Sequence, residues 1–315
     1  MQISAAAVKE LRERSGAGMM ECKKALVATE GDLEGALEHL RKSGAAKAAK
    51  KAGRIAAEGS VVIAEGNGAA ALVEVNAETD FAANEPNFVA FADAVARTVL
   101  KVRPADVDAL SVTTLDGAAE SVEDARQQLV LKIGENISIR RFEVRQTDGL
   151  IGAYRHGKRI GVLVELSGGT QEMARDIAMH IAASNPVCIA ESDVPAALVA
   201  KEKEIRIAQA ASSGKLPEII EKMIVGQMRK FVGEITLLGQ PFVKDPDTTV
   251  GKLLGKDATV KSFIRFEVGE GIEDAVKRTE GDPASNVFLA GENHFTWSVN
   301  RTVCFQNTPP VAADH

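Results

Sequence analysis

The sequence is poor in aromatic residues and in cysteine, and both shortages narrow the kind of protein that it can encode. Aromatic side chains make up only 4% of the 315 residues, with one Trp and one Tyr. A core built without them must be aliphatic and rich in alanine, and alanine favours helix. The three cysteines, Cys22, Cys188 and Cys304, are too far apart for a zinc site or a disulfide framework. A reducing, cytoplasmic location is therefore expected.

Long apolar runs and a basic charge balance are also missing. No stretch of about 18 apolar residues occurs that would span a membrane. The first residues, MQISAAAVKELRER, lack the apolar stretch of a signal peptide. The formal net charge is −6, whereas general nucleic-acid binders usually carry a broad basic surface. These absences predict a protein with no membrane contact and no direct nucleic-acid partner.

The first 43 residues predict a small unit of three helices. Glycines at 16 and 18 break the first helix from the second, and Asp32 is a suitable N-cap for the third. The third helix shows apolar residues at the spacing i, i+3, i+4, i+7: Leu33, Ala36, Leu37 and Leu40.

Residues 44–56 are predicted to form a linker helix with one basic face. Its members are Lys47, Lys50, Lys51 and Arg54. Runs of charge usually face water, so a solvated helix face is favoured. A basic strip for an acidic partner surface is the alternative.

After residue 56 the period becomes strand-like, and one pattern then occurs twice. Each copy has a strand hairpin, helices and a closing strand, and the closing strands ISIRRFEV (137–144) and SFIRFEV (262–268) are alike. We therefore predict an α+β fold whose core consists of two similar subdomains with mainly antiparallel sheets, residues 57–147 and 148–273. The second contains a helical-hairpin insertion at about 194–235.

The last segment, residues 274–315, breaks every pattern. It mixes Gly, Pro and Asn with isolated aromatics, and it shows no sustained period. We predict an atypical tail without helix.

A search for reactive groups favours an interaction protein over an enzyme. GKLLGKDA at 251–258 has the wrong glycine spacing for a phosphate loop, and GNGAAA at 66–71 precedes a strand where a dinucleotide fingerprint needs a helix. His180 lies on an apolar helix, which favours a structural role over a catalytic one. His156 sits at a hairpin tip, either as a contact residue or as an ordinary turn residue. No cofactor and no metal site are predicted.

The stretch NAETDFAANE at 76–85 places Phe81 beside Asp80 in a predicted connection between strand and helix. Large aromatics are usually buried, so the residues alone favour Phe81 as a core side chain that closes the hairpin. An exposed contact residue is the alternative. Met19 and Met20 leave the same choice open, between packing of the small helical unit and an adaptable contact surface.

Several motifs together resemble the bacterial elongation factor Ts family. They are VKELRERSGAGMMECKKAL at 8–26, LVEVNAETDFAA at 72–83, KIGENISIRR at 132–141, HIAASNP at 180–186 and FIRFEVGEGIE at 263–273. The resemblance covers about residues 1–273, with the motifs in the family's order.

The resemblance implies a guanine-nucleotide exchange factor for elongation factor Tu, in its GDP-bound and nucleotide-free forms, and no active site of its own. It implies a ubiquitin-associated-like three-helix domain at the N-terminus and a coiled-coil insertion, with a homodimer through that insertion as a possibility. The family's magnesium-displacing segment matches Thr79, Asp80, Phe81 and Ala82. Further partner contacts fall on Arg12, Met19, Met20 and His156.

The sequence departs from the family pattern at three places. Ala77 and Ala82 replace the family's usual residues within the segment around Phe81. After Glu273 the family continues into a charged, alanine-rich helix, whereas this chain has its unrelated polar tail. From another class, a nucleic-acid or ribosome-binding protein that uses the strip from Lys47 to Arg54 stays the second candidate.

Overall fold

The structure is a computed structural model that describes residues 3–211, 216–272 and 304–305. The chain divides into two compact units. The described part of the first unit comprises residues 3–144, 157–159 and 266–272, and that of the second comprises residues 145–156, 160–211, 216–265 and 304–305. The change of unit after residue 144 falls close to the predicted boundary at 147–148.

The first unit begins with three helices packed on an aliphatic core. They are α1 (Ala5–Ser15), α2 (Met19–Ala28) and α3 (Leu33–Lys51). The side chain of Ser4 accepts the N–H of Ala7 at 3.1 Å, and that of Asp32 accepts the N–H groups of Glu34 and Gly35. Such caps satisfy donors that have no partner inside the helix. The predicted three-helix start and the predicted cap at Asp32 are confirmed.

The predicted linker helix at 44–56 is not a separate element, because α3 continues through residue 44 and ends at Lys51. Ala36, Leu40, Gly44 and Ala48 are all buried, so the inner stripe runs on at a spacing of four residues. Its second half is made of small residues, which allow close approach to a neighbouring helix. A boundary at residue 43 therefore falls inside a helix.

A three-stranded sheet in the order β1-β2-β3 follows. Its strands are β1 (Glu58–Gly66), β2 (Ala69–Ala77) and β3 (Ile137–Gln146). β1 and β2 pair antiparallel, and the turn residues Asn67 and Gly68 have φ of 51° and 68°. Two left-handed residues form the turn type that matches strand twist, which is why Asn-Gly predicts a hairpin. β2 is buried at every position, as a central strand should be.

Four helices complete the described part of the first unit, and the first two of them pack on this sheet. They are α4 (Asp80–Asn84), α5 (Pro86–Val102), α6 (Val107–Ser111) and α7 (Val122–Ile133). Pro86 occupies the first turn of α5, where its missing N–H costs nothing. The core beneath is aliphatic apart from Phe88 and Phe91, as the scarcity of aromatics predicts.

A buried carboxylate organises the centre of the first unit. Glu74 on β2 is fully buried and binds Arg140 Nη1 at 3.0 Å and Arg141 Nε at 2.6 Å. It also accepts the backbone N–H of Gly269 at 2.9 Å. The guanidinium of Arg141 lies 4.2 Å from the ring centroid of Phe266. These contacts hold residues 266–270 against β2 and β3.

The second unit is built on a sheet with the strand order β4-β5-β8-β9. Its strands are β4 (Leu150–His156), β5 (Ile160–Gly168), β8 (Ala258–Glu267) and β9 (Cys304–Phe305). β4 pairs antiparallel with β5, and β8 with β9. The hairpin and closing strand predicted here are confirmed, and the fold class is α+β. Apart from 304–305, the predictions for the tail lie outside the described residues.

Helices and a small ribbon complete the second unit. They are α8 (Gln171–Ser184), a short 3-10 helix (Glu191–Asp193), α9 (Ala196–Ala211), α10 (Pro217–Ile235), β6 (Pro241–Phe242), β7 (Asp245–Thr249) and α11 (Val250–Leu254). α9 and α10 pack on one another, which confirms the predicted pair of insertion helices. Every described helix of the chain falls short of the length or apolarity that crossing a bilayer requires.

Glu74→Ala should lower the free energy of unfolding by about 3 kcal/mol or more, because it leaves two guanidinium groups without their buried counter-charge. Glu58→Ala is the matched control, since it removes a partner from the exposed pair with Arg159 and should cost less than about 1 kcal/mol. Urea unfolding followed by circular dichroism measures both. Equal free energies of unfolding for the two variants would show that the ion pairs of Glu74 stabilise the fold no more than an exposed pair does.

Candidate functional site

Phe81 stands on a short helix and projects from it. The side chain of Phe81 is 83% exposed, whereas its neighbours Ala82 and Ala83 are buried. The expectation that Phe81 fills the core is therefore wrong, and the alternative of an exposed side chain is correct. The segment is also not a plain loop, because Asp80 and Phe81 form the first turn of α4 and Asp80 lies exposed at its N-terminus. A carboxylate is favoured at that end of a helix.

Hydrogen bonds fix the start of α4. Thr79 is its N-cap, and its hydroxyl oxygen accepts the N–H of Ala82 at 3.2 Å. The carboxylate of Glu135 accepts the Thr79 N–H at 3.0 Å and the Thr79 hydroxyl at 2.8 Å. In return, the carboxylate of Glu78 accepts the N–H of Asn136 at 2.6 Å. Two adjacent residues before α4, Glu78 and Thr79, are thus hydrogen-bonded to two adjacent residues after α7, Asn136 and Glu135.

The end of α4 has its own anchor. Asn84 donates its side-chain N–H to the carbonyl of Asp80 at 2.7 Å. Lys158, which belongs to the first unit, donates to Asn84 Oδ1 at 2.7 Å. The five-residue helix is therefore held at both ends by groups from distant parts of the sequence.

The predicted contacts of the N-terminal helices lie on the surface. Met19 and Met20 begin α2 with side chains 60% and 63% exposed, so of the two alternatives that the sequence left open, core packing is wrong for both. Arg12 is exposed on α1. Val27, also exposed on α2, extends the apolar surface by two turns and was not singled out by the sequence.

His156 is exposed at the end of β4 in the second unit. Its Nδ1 lies 3.2 Å from the hydroxyl oxygen of Tyr154 on the same strand. Thr79, Asp80, Phe81 and Ala82 are thus brought into one helical turn, while the other predicted contact residues lie on separate elements.

The basic strip is largely engaged within the chain. Lys47 pairs with Glu21 at 2.8 Å, and Arg54 with Glu78 at 3.4 Å. Lys51 donates to the carbonyl of Gly134. Phosphate binding needs cations that are available to the ligand, so these pairings disfavour the nucleic-acid candidate.

A groove beside α5 holds charges that neutralise one another. It is lined by Asn87, Arg97, Asp116 and Lys132, among others. Hydrogen bonds from Lys101 and Arg97 hold the pKa of Asp116 below its ordinary value. Lys132 donates to Asn87 Oδ1 at 2.6 Å. A carboxylate that stays ionised and paired is not poised for general acid–base chemistry near neutral pH.

His180 is a structural residue, as expected from its apolar helix. It is fully buried, its Nε2 lies 3.0 Å from Gln240 Oε1, and its Nδ1 accepts the N–H of Val243 at 3.2 Å. These partners fix the neutral tautomer with its proton on Nε2. Burial lowers the pKa of His180 from its ordinary value of 6.5.

Sequence reasoning missed the residues that support α4. Glu135 lies inside the quoted motif KIGENISIRR, but its partner Thr79 is 56 residues earlier in the chain. No local pattern reveals such a pairing. The N-cap role of Thr79 was within reach, because Thr before a helical segment is a known start signal.

Among the described residues, the site consists of protruding side chains on a supported backbone. That geometry is typical of a protein that acts by binding another macromolecule. Comparison with known proteins gives the particular family. A sequence model described as elongation factor TS matches residues 78–270. The chain belongs to the elongation factor Ts family and is a translation elongation factor.

Three similar proteins illustrate the relationship, and all are named elongation factor Ts. The one from Thioalkalivibrio sulfidiphilus is 61% identical over 285 residues, which cover 89% of this chain and 96% of the relative. Those from Methylococcus capsulatus and Alkalilimnicola ehrlichii are 58% and 55% identical over 277 residues, which cover 87% of this chain and 94% of each relative.

His180 predicts a pH-dependent stability. Because the neutral form is favoured in the folded state, protons bind more readily to the unfolded chain. Stability should therefore be full above pH 6.5 and fall as the pH drops below it. In urea unfolding at pH 7.5 and pH 5.5, His180→Gln should show a smaller loss of stability on acidification, since the Gln side chain does not titrate. An equal loss in both proteins would rule His180 out as the cause.

Proposed function

We propose that this chain is a guanine-nucleotide exchange factor that binds elongation factor Tu, in its GDP-bound and nucleotide-free forms, and promotes GDP release. The observation that carries the proposal is the 83% exposure of Phe81 on an anchored helix. An exposed aromatic gains nothing in the free protein, and it stabilises a complex once a partner covers it. No bond is made or broken, so the chain is not an enzyme in the chemical sense.

The energy available from Phe81 matches the task. Burying one large apolar side chain contributes about 1.5–3 kcal/mol. Used to hold open a partner conformation that binds GDP poorly, that energy corresponds to a factor of roughly 10 to 150 in an equilibrium or a rate. Burial of Phe81 in the partner therefore stabilises the open state of the partner.

Magnesium is the sensitive element in such a partner. Mg²⁺ demands near-ideal octahedral oxygen geometry, so small displacements of its ligands weaken its binding. In the proposal, Thr79, Asp80, Phe81 and Ala82 form the segment that disturbs the magnesium and nucleotide site. The thermodynamics are reciprocal, because a factor that weakens GDP binding is itself bound more weakly when nucleotide is present. Incoming nucleotide therefore releases the factor.

Other exposed side chains extend the proposed interface. We assign contacts to Arg12, Met19 and Met20 on the N-terminal helices and to His156 in the second unit, each of which is exposed. A homodimer through the helical insertion is a further proposal, since Ile219 and Val225 are exposed on α10. A cytoplasmic location belongs to the proposal as well.

Phe81→Ala should slow the release of fluorescent GDP from elongation factor Tu by about tenfold or more at saturating factor, because the aromatic ring that holds the partner open is lost. Its free energy of unfolding should change by less than about 0.5 kcal/mol, as for other exposed positions. Stopped-flow fluorescence and urea unfolding provide the two measurements.

Val112→Ala is the control for Phe81→Ala, since Val112 is 78% exposed in the same unit, and it should leave both quantities unchanged. Near-normal GDP release with Phe81→Ala would contradict the proposed role of Phe81.

Met19→Ala combined with Met20→Ala should weaken binding to nucleotide-free elongation factor Tu by about tenfold, because two exposed contact side chains are truncated. The release rate at saturating factor should be almost unchanged, since these residues hold the partner without entering its nucleotide site. Titration calorimetry measures the affinity. The point substitutions avoid a deletion, which at residue 43 would cut α3 in two. A normal affinity would exclude this contact.

A further inference from the structure

We infer that Glu135 is a positioning residue for the exchange segment: its carboxylate fixes the direction in which Phe81 projects. This inference deepens the proposed function and rests on it for its effect on nucleotide release. The clamp, by which we mean the two hydrogen bonds from Thr79 to the Glu135 carboxylate, lies within the first unit.

The helix that carries Phe81 is too short to define its own position. α4 has only five residues, and isolated helices shorter than about 12 residues are marginal in water. Phe81 is 83% exposed and has little packing to orient it. Its direction therefore depends on how the backbone of the first turn is held.

Glu135 holds that turn through two oxygens. Oε2 accepts the N–H of Thr79 at 3.0 Å and Oε1 accepts its hydroxyl at 2.8 Å. The hydroxyl oxygen is then free to accept the N–H of Ala82 at 3.2 Å. The carboxylate thus fixes both the backbone and the rotamer of the N-cap, and through the cap it fixes the residue that follows Phe81.

The loop that carries Glu135 is itself fixed. Asn136 is buried, and its backbone N–H donates to Glu78 at 2.6 Å while its side chain donates to the carbonyl of Arg54 at 2.8 Å. Hydrogen bonds to charged groups are stronger than neutral ones. The loop after α7 is therefore held in place, and through the clamp it fixes the position of α4.

The clamp requires a hydroxyl group at position 79. Serine could cap the helix and bind Glu135 with the same atoms, so Thr79→Ser should keep the position of Phe81. Valine has the shape of threonine but neither donates nor accepts, so Thr79→Val breaks the hydroxyl contacts on both sides.

The first test measures the clamp without any partner. In Glu135→Ala both acceptor oxygens are lost, so amide hydrogen exchange of Thr79 and Ala82, followed by NMR, should become about tenfold faster. Thr79→Ser should stay close to wild type. Unchanged exchange rates in Glu135→Ala would overturn the clamp.

The second test asks whether the clamp acts through Phe81. At saturating factor, Glu135→Ala should slow the release of fluorescent GDP from elongation factor Tu about fivefold, and Thr79→Val should slow it similarly. In the Phe81→Ala background, Glu135→Ala should change the rate by less than about 1.5-fold, because there is no longer a ring to position. An equal penalty in both backgrounds would overturn the positioning role.

Thr170→Ala is the matched control for loss of an N-cap. The side chain of Thr170 caps α8 in the second unit by accepting the N–H of Met173 at 3.1 Å, with no link to Phe81. This variant should lose stability without losing exchange activity. If wild-type protein fails to accelerate GDP release, the proposed function fails, while the amide exchange rates still decide whether Glu135 is a clamp.

Discussion

The candidate site depends on one constraint: the direction of an aromatic side chain that has little packing around it must be set by the backbone that carries it. Phe81 projects from a single turn of helix, and that turn is fixed by Thr79 and Glu135 at one end and by Asn84 at the other. Such pre-organisation lowers the ordering cost of binding. A freely moving ring would lose part of its burial energy on insertion into a partner.

Several charged side chains of the first unit pair with one another. Glu74 gathers two arginines in the interior, and Lys47 and Arg54 pair with carboxylates of the same chain. Phe81 and Met20, in contrast, leave large apolar side chains exposed on the surface of this unit, and we propose that this surface binds the partner. Interfaces between proteins are enriched in aromatics and methionine, and depleted in lysine and glutamate.

Local sequence signals located most helices and strands, but they could not reveal hydrogen bonds between residues that are far apart in the chain. Asn67-Gly68 and Pro86 act through their own backbone preferences, so the hairpin and the start of α5 could be located from the sequence. The end of α3 was missed because Gly44 and Ala48 continue its buried stripe with residues too small to show in a hydrophobic pattern. The exposure of Phe81 followed only from the family resemblance, since burial statistics favour the opposite, and the role of Glu135 needed coordinates.

The magnesium dependence of GDP release tests the central claim most directly. The acceleration by wild-type factor should be compared between millimolar free Mg²⁺ and excess chelator, using fluorescent GDP bound to elongation factor Tu in a stopped-flow instrument. If the Phe81 helix acts by disturbing the magnesium site, the acceleration is large with magnesium present and shrinks severalfold once the metal has been removed. The same acceleration under both conditions would contradict the account.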